Sequence, residues 1–300
     1  MIPPPGDHGG DGPRLAAALG IAPSAILDLS LSVNPFAPDV AALAAREVEA
    51  LRHYPDPAVA TAALAEAIGV DHDQLLVTNG GAQAIALLAA EWPRGRVDEP
   101  EFSLYRRHLQ TVAVDAPRWR SNPHNPTGAL AGPEERAEVW DEAFYPLTTG
   151  SWTRGDPDAV VVGSLTKLFA CPGLRLGYVV ARDVALVERL RWRQPEWSVN
   201  SVALALVPRL LDVADLPGWA RGIAVLRHEL AHVLSGAGLR PRPSQASWLL
   251  VEGAEGLRER LAGQGILVRD TASFGLPGSV RVAVPDATSL ERLGAALACC

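Results

Sequence analysis

Lysine is almost absent from this chain. Its 27 basic residues are arginines with one exception, Lys167. An amine can shed its proton and act as a nucleophile, which a guanidinium with a pKa above about 12 cannot. The one lysine is therefore a candidate for covalent chemistry; its plainer reading is a surface lysine left over from a drift toward arginine. Cysteine is scarce too. Cys171, Cys299 and Cys300 form neither an even disulfide framework nor a metal-ligand spacing, which excludes a disulfide scaffold and fits a reducing compartment. The Cys299-Cys300 pair lacks a lipidation pattern and is expected to be a frayed tail. Positive charge is not in excess: a net charge of −7 and scattered arginines leave no footprint for nucleic acid. No apolar run approaches the roughly 18 residues of a membrane span. The opening MIPPPGDHGGDG lacks the charged-then-apolar layout of a signal peptide, so the expected location is cytoplasmic.

What is present is an ordinary globular composition, 48% hydrophobic and 20% charged over 300 residues, enough for about two domains. Apolar runs of strand length alternate with helical patterns through the first two thirds, the mark of an α/β architecture on a mainly parallel sheet. QLLVT (74–78), DAVVVGS (158–164) and RLGYVVA (175–181) read as strands, and AQAIALLAAEW (82–92) as a helix. From about residue 200 the character changes to long helices followed by the strands SWLLVEG and SVRVAV, a smaller α+β domain. The expected division is an amino-terminal arm over 1–35, a large domain over 36–200 and a small one over 201–300.

In open α/β sheets ligands sit beyond the carboxyl ends of the strands, and the unusual residues collect there. NGGAQ (79–83) puts small residues at a strand-to-helix turn, where free N–H groups suit a phosphate; a mere tight turn would look the same. SNPHNPTG (121–128) holds Asn125 between two rigidifying prolines. WDEAFYP (140–146) ends an apolar stretch on Asp141, which alone would also read as a loop acid. SLTK closes on Lys167, with Arg175 eight residues later.

In this order the motifs resemble those of the aspartate-aminotransferase fold family, the fold-type-I, class I/II enzymes dependent on pyridoxal 5'-phosphate (PLP), over most of the chain. The resemblance implies a large PLP-binding domain and Lys167 as the lysine that carries the cofactor. Gly81, Ala82, Ser164 and Arg175 would cup its phosphate. Phe102 would stack on its ring, Asn125 would meet the ring hydroxyl oxygen, and Asp141 would pair with the ring nitrogen. Tyr54 matches a tyrosine that reaches the phosphate from a neighbouring subunit, which implies a homodimer.

Within that family, HGGD (8–11) with LDLSLSVNPFAP (28–38) resembles the start of the threonine-phosphate decarboxylases of cobalamin biosynthesis, which implies that His8, Gly9 and Asn34 help hold a small amino acid phosphate. Phe144 stands where many aminotransferases have tyrosine. Arg281 would grip a substrate carboxylate as a bidentate fork, with Arg269 toward the phosphate. The implied reaction is decarboxylation of L-threonine O-3-phosphate to aminopropanol phosphate. Two other readings stay open: an aminotransferase of the histidinol-phosphate type, and a catalytically degenerate member acting as a binding or regulatory protein. The chain is short for this family. PRWR (117–120) reads as a poor core strand, and the stretch from Gly128 to Asp141 allows little more than a three-turn helix, so a trimmed large-domain sheet is expected.

Overall fold

The computed structural model describes residues 2–299; Cys300 of the terminal cysteine pair lies outside them. Among these residues twelve strands form two sheets. β1 (Leu27–Leu29) belongs to the smaller sheet. β2 (Leu75–Asn79), β3 (Arg94–Val97), β4 (Thr111–Val112), β5 (Arg118–Ser121), β6 (Val139–Asp141), β7 (Val160–Ser164) and β8 (Leu176–Val180) make the larger one. β9 (Arg240–Pro241), β10 (Trp248–Glu252), β11 (Ile266–Asp270) and β12 (Val280–Ala283) complete the smaller.

The larger sheet runs β2-β8-β7-β6-β5-β3-β4. Every pairing is parallel except those of β8, which is antiparallel to both β2 and β7. This reversal brings the start of β8 beside the ends of its neighbours: Leu176 pairs with Asn79 and Gly177 with Ser164. Arg175 thus arrives next to the turn after β2. The ends of β5 and β6 are level as well, Ser121 opposite Asp141. Residues scattered over about a hundred positions of sequence are collected along one edge by strand order alone.

β2 and β7 are buried almost throughout, as strands covered on both faces must be. The helix Gly80–Glu91 lies across them and buries Ala84, Ile85, Leu87, Leu88 and Ala89, which explains why its sequence is apolar nearly all round. The smaller sheet runs β1-β11-β12-β10-β9. β1 pairs in parallel with β11, so the amino-terminal segment is sewn into the carboxy-terminal sheet. One apolar core joins the helices Ser201–Asp212 and Leu216–Gly236 to both sheets. Among the described residues no helix is long and apolar enough to cross a membrane.

The larger sheet holds seven strands, of which β4 and β6 are only two and three residues long. PRWR supplies β5, inside the sheet. Trp119 is buried to 1% exposure, while the alternate residues Arg118 and Arg120 are both held by Glu135, whose carboxyl they pull down to about 2. Strand alternation lets two arginines flank a core tryptophan because a carboxylate neutralises them. The stretch from Gly128 to Asp141 holds no helix, only loop and the three-residue β6.

Candidate active site

A cavity of about 360 Å³ opens where the strand ends of the larger sheet meet β11, β12 and the amino-terminal segment. All the site residues expected from sequence line it except Asn34 and Tyr54.

At one end is an anion cradle. Gly80 has φ +74°, and a Cβ there would come within 2.5 Å of Arg175 Nη2; a Cβ on Gly177 would stand 2.5 Å from the backbone nitrogen of Gly81. Glycine is required because two backbones and a guanidinium converge too closely for side chains. The amino end of a twelve-residue helix thereby presents Gly81 and Ala82 beside Arg175 and Ser164, a phosphate-binding arrangement of free N–H groups and positive charge. The Ser164 hydroxyl is 2.7 Å from that of Thr166.

Lys167 sits one turn beyond β7 in the short helix Leu165–Leu168. Burial, followed by the charges of Arg281 and Arg175, lowers its pKa to about 8. Its Nζ is 5.9 Å from the centre of the Phe144 ring. Asn34, placed by sequence on the substrate, is turned elsewhere. Its Nδ2 donates to the Leu168 carbonyl at 2.9 Å and its Oδ1 accepts from Phe36, while its backbone N–H donates to the Lys167 carbonyl. Both ends of the amide are used within the chain, so Asn34 clamps the lysine's helix from behind.

Asp141 is a buried carboxylate held by the Tyr105 hydroxyl at 2.8 Å and the Ala143 N–H at 3.1 Å. Desolvation raises its pKa despite both bonds. A buried carboxylate facing a cavity is completed by a cation. Beside it the Asn125 N–H donates to Ser121 Oγ (2.8 Å), and Ser121 bonds to Glu101 through its hydroxyl (2.6 Å) and its N–H (3.0 Å). Glu101 is 2% exposed and burial raises its carboxyl to about 8. Tyr105, Ser121 and Glu101 escaped sequence reasoning. The one available signal was local: Glu101, Phe102 and Tyr105 share the stretch EPEFSLY.

The opposite wall is basic. Arg281 is 7% exposed, and its Nη1 donates to Asn125 Oδ1 at 2.6 Å. Its guanidinium lies 4.8 Å from the Trp248 ring, while its buried Nε has no hydrogen-bond partner among the described residues. Burial, then Arg269, lowers its pKa to about 9. An unpaired donor on a buried cation is costly unless an anion fills it. Trp248 also meets Phe144 edge-on at 4.8 Å and donates its indole N–H to the Pro126 carbonyl. Arg269 donates to the carbonyls of Gly6 and Asp7 and to Ser273 Oγ, which brings the amino-terminal segment to the cavity mouth. There His8 lies 5.9 Å from the Phe102 ring, its pKa lowered by burial and by Arg269. A Cβ on Gly9 would come within 2.4 Å of the Ser30 carbonyl oxygen, so this glycine lets the segment dock. Tyr54 is 77% exposed, away from the cavity, its ring 4.6 Å from that of Trp197.

The cavity therefore offers a phosphate cup, a low-pKa amine, a buried carboxylate suited to a protonated ring nitrogen, an aromatic face and a separate pair of arginines. Among the described residues no cluster of three or more potential metal ligands accompanies them.

Comparison with known proteins identifies the family and the fold. The family model for aminotransferase class I and II matches residues 119–297. The chain is 32% identical to the threonine-phosphate decarboxylase of Salmonella typhimurium over 352 aligned positions, which cover 97% of this chain and 95% of that protein. It is 28% identical to histidinol-phosphate aminotransferase 2 of Pseudomonas fluorescens, covering 90% and 88%. The fold matches the histidinol-phosphate aminotransferase of Sinorhizobium meliloti solved in complex with pyridoxal-5'-phosphate, with a TM-score of 0.82 at 18% identity over 95% of this chain and 93% of that one.

Proposed function

The chain belongs to the aminotransferase class I and II family and is a PLP-dependent enzyme, and from that premise we propose that it decarboxylates L-threonine O-3-phosphate. The residues present fit the cofactor: Gly81, Ala82, Ser164 and Arg175 would hold its phosphate, Phe102 would face its ring, and Asp141 and Asn125 would meet its polar ring atoms. When bound, PLP supplies an electron sink for the carbanion that forms at Cα. Lys167 would anchor it, and its lowered pKa leaves the amine able to give or take a proton at Cα near neutral pH.

The basic wall supports an anionic amino acid phosphate as the substrate. Arg281, its guanidinium over the Trp248 ring, takes the substrate carboxylate, and His8 stands toward the phosphate end; Arg269, expected there too, gives its donors to Gly6, Asp7 and Ser273 and adds its charge to the wall. The observation that carries this reading is the pair of arginines standing opposite each other on β11 and β12, since like charges at paired positions repel unless anions lie between or beside them. The 32%-identical relative points to the same substrate. Read as an arm (1–35), a large part (36–200) and a small part (201–300), the site takes residues from all three: His8, Lys167 and Arg281.

A homodimer is part of the proposal. Tyr54 and Trp197, in contact with each other, are 77% and 58% exposed, and Leu51 and Val59, near Tyr54 in sequence, are 69% and 70% exposed; apolar surface of this kind suits burial against a second copy, from which Tyr54 would reach the partner's phosphate cup.

The test is to incubate PLP-loaded protein with L-threonine O-3-phosphate, with and without 2-oxoglutarate, and assay carbon dioxide and aminopropanol phosphate. Release without the keto acid is expected. Amino transfer that requires the keto acid would replace this reading with transamination, which the 28%-identical relative favours. A protein that takes up no PLP and turns over neither way would be a binding or regulatory member.

A further inference from the structure

His228 and His232 stand one turn apart on the helix Leu216–Gly236, outside the cavity and exposed to solvent. Their Nε2 atoms are 3.0 Å apart, and the rings cross at 86° with centroids 4.4 Å apart. They close the stretch His228-Glu229-Leu230-Ala231-His232, in which two imidazoles at i and i+4 share one face of a helix and can ligate one divalent cation.

The separation is informative. Metal–nitrogen bonds to imidazole are about 2.0–2.1 Å, so two such nitrogens at a right angle on one ion lie about 3.0 Å apart. The side chains already stand at the bite of a cis chelate. A hydrogen bond between two neutral imidazoles fits the same distance, and the experiment must separate the two. The guanidinium of the adjacent Arg227 is turned to the carbonyls of Gln245 and Ala246, and exposed Glu229 supplies the nearby negative charge.

In metallopeptidases the same spacing carries a third ligand, and the glutamate acts as general base within a cleft. Among the described residues no third histidine, cysteine or carboxylate gathers at this pair, and the face is open, so hydrolysis is not the reading. We propose that His228 and His232 form a surface site for a divalent transition cation of the imidazole-preferring class, nickel, copper or zinc, with water in the remaining positions. The site is independent of the reaction proposed above.

The experiment is calorimetric titration of the PLP-loaded protein with nickel chloride. One strong equivalent is expected in the unsubstituted protein. Two linked binding groups exceed either alone by about 10²–10⁴, so His228→Ala and His232→Ala should each weaken that equivalent about a hundredfold or more. Both should keep cofactor colour and turnover, because neither residue touches the cavity. Adding Ala224→His to His232→Ala rebuilds an i, i+4 pair with His228 on the same helix and should restore binding. Nickel binding that is absent from the start, unchanged in either single variant, or not restored by the rebuilt pair would overturn the proposal and leave the contact as a hydrogen bond between two surface histidines.

Discussion

Arg281 pairs directly with Arg269 across the antiparallel register of β11 and β12, and the two guanidinium groups divide their work. Arg269 spends its donors on the amino-terminal segment and Ser273. Arg281 spends one on Asn125, and its buried Nε has no hydrogen-bond partner among the described residues. Arg269 ties the amino-terminal segment to the cavity mouth, while Arg281 reaches across to Asn125.

Arg281→Ala is therefore expected to raise KM for the amino acid phosphate while leaving cofactor absorbance in place. Charge-assisted hydrogen bonds contribute about 1.5–3 kcal/mol each, so a bidentate loss corresponds to at least about a hundredfold in kcat/KM. Steady-state kinetics beside a visible spectrum checks it. Loss of colour together with KM would contradict the role given to Arg281.

Lys167 predicts opposite effects with and without cofactor. Lys167→Ala should abolish the lysine-linked visible absorbance and turnover. In cofactor-free protein the amine is a burden, because its pKa falls from 10.5 to about 8 on folding. Below pH 8 the folded state must hold a disfavoured charge, and the penalty fades as pH rises toward 10.5, since between the two values the unfolded chain binds the extra proton. Lys167→Met should thus stabilise the apo-protein by up to about 3 kcal/mol near pH 7, with the gain vanishing near pH 10.5. Urea unfolding at the two pH values measures this; an equal gain at both would point to packing instead.

Tyr105→Phe removes the hydroxyl that donates to Asp141 at 2.8 Å and nothing else of its shape. That bond favours the ionised carboxyl, so its loss raises the Asp141 pKa further and weakens the hold on a protonated ring nitrogen. PLP affinity, measured by absorbance titration, should fall about tenfold or more, from the roughly 1.5–3 kcal/mol of a hydrogen bond to a charged group. An unchanged affinity would make the tyrosine only a packing residue against Phe102 and Trp119.

Glu101 gives a pH signature. Its carboxyl ionises at about 8 in the fold and near 4.5 in the unfolded chain. Between those values the folded state holds the extra proton, so this residue makes stability fall as pH rises. Glu101→Gln should flatten that slope, with the variant gaining on the parent from pH 5 to pH 8. Parallel stability curves across this window would show that Glu101 is ionised in its bonds to Ser121.

How far the sequence could be read follows from what kind of contact each residue makes. Gly81, Asn125, Asp141, Lys167 and Arg175 were legible because each sits in a short motif after or before a strand, where turn chemistry is written in adjacent residues. Asn34 was misplaced: its motif marked it out, yet whether its amide met substrate or the Leu168 carbonyl depended on how the amino-terminal segment docks. Glu101 and Tyr105 were missed because their partners, Ser121 and Asp141, lie 20 and 36 positions away on β5 and β6, and Ser121 because its bond to Glu101 is made across the same gap. PRWR was undervalued for the same reason, since Glu135 lies beyond the strand it neutralises.

By itself, then, the sequence determined the lone lysine, the turn glycines and the alternation of strands and helices, because these rest on residue chemistry and on periodicities of a few residues. Only the tertiary structure decided that seven strands join in one sheet, that Arg281 meets Asn125, and that two histidines meet edge to face on an outer helix. Those outcomes depend on strand order, register and burial, and a buried polar group is costly or useful only according to what packing sets beside it.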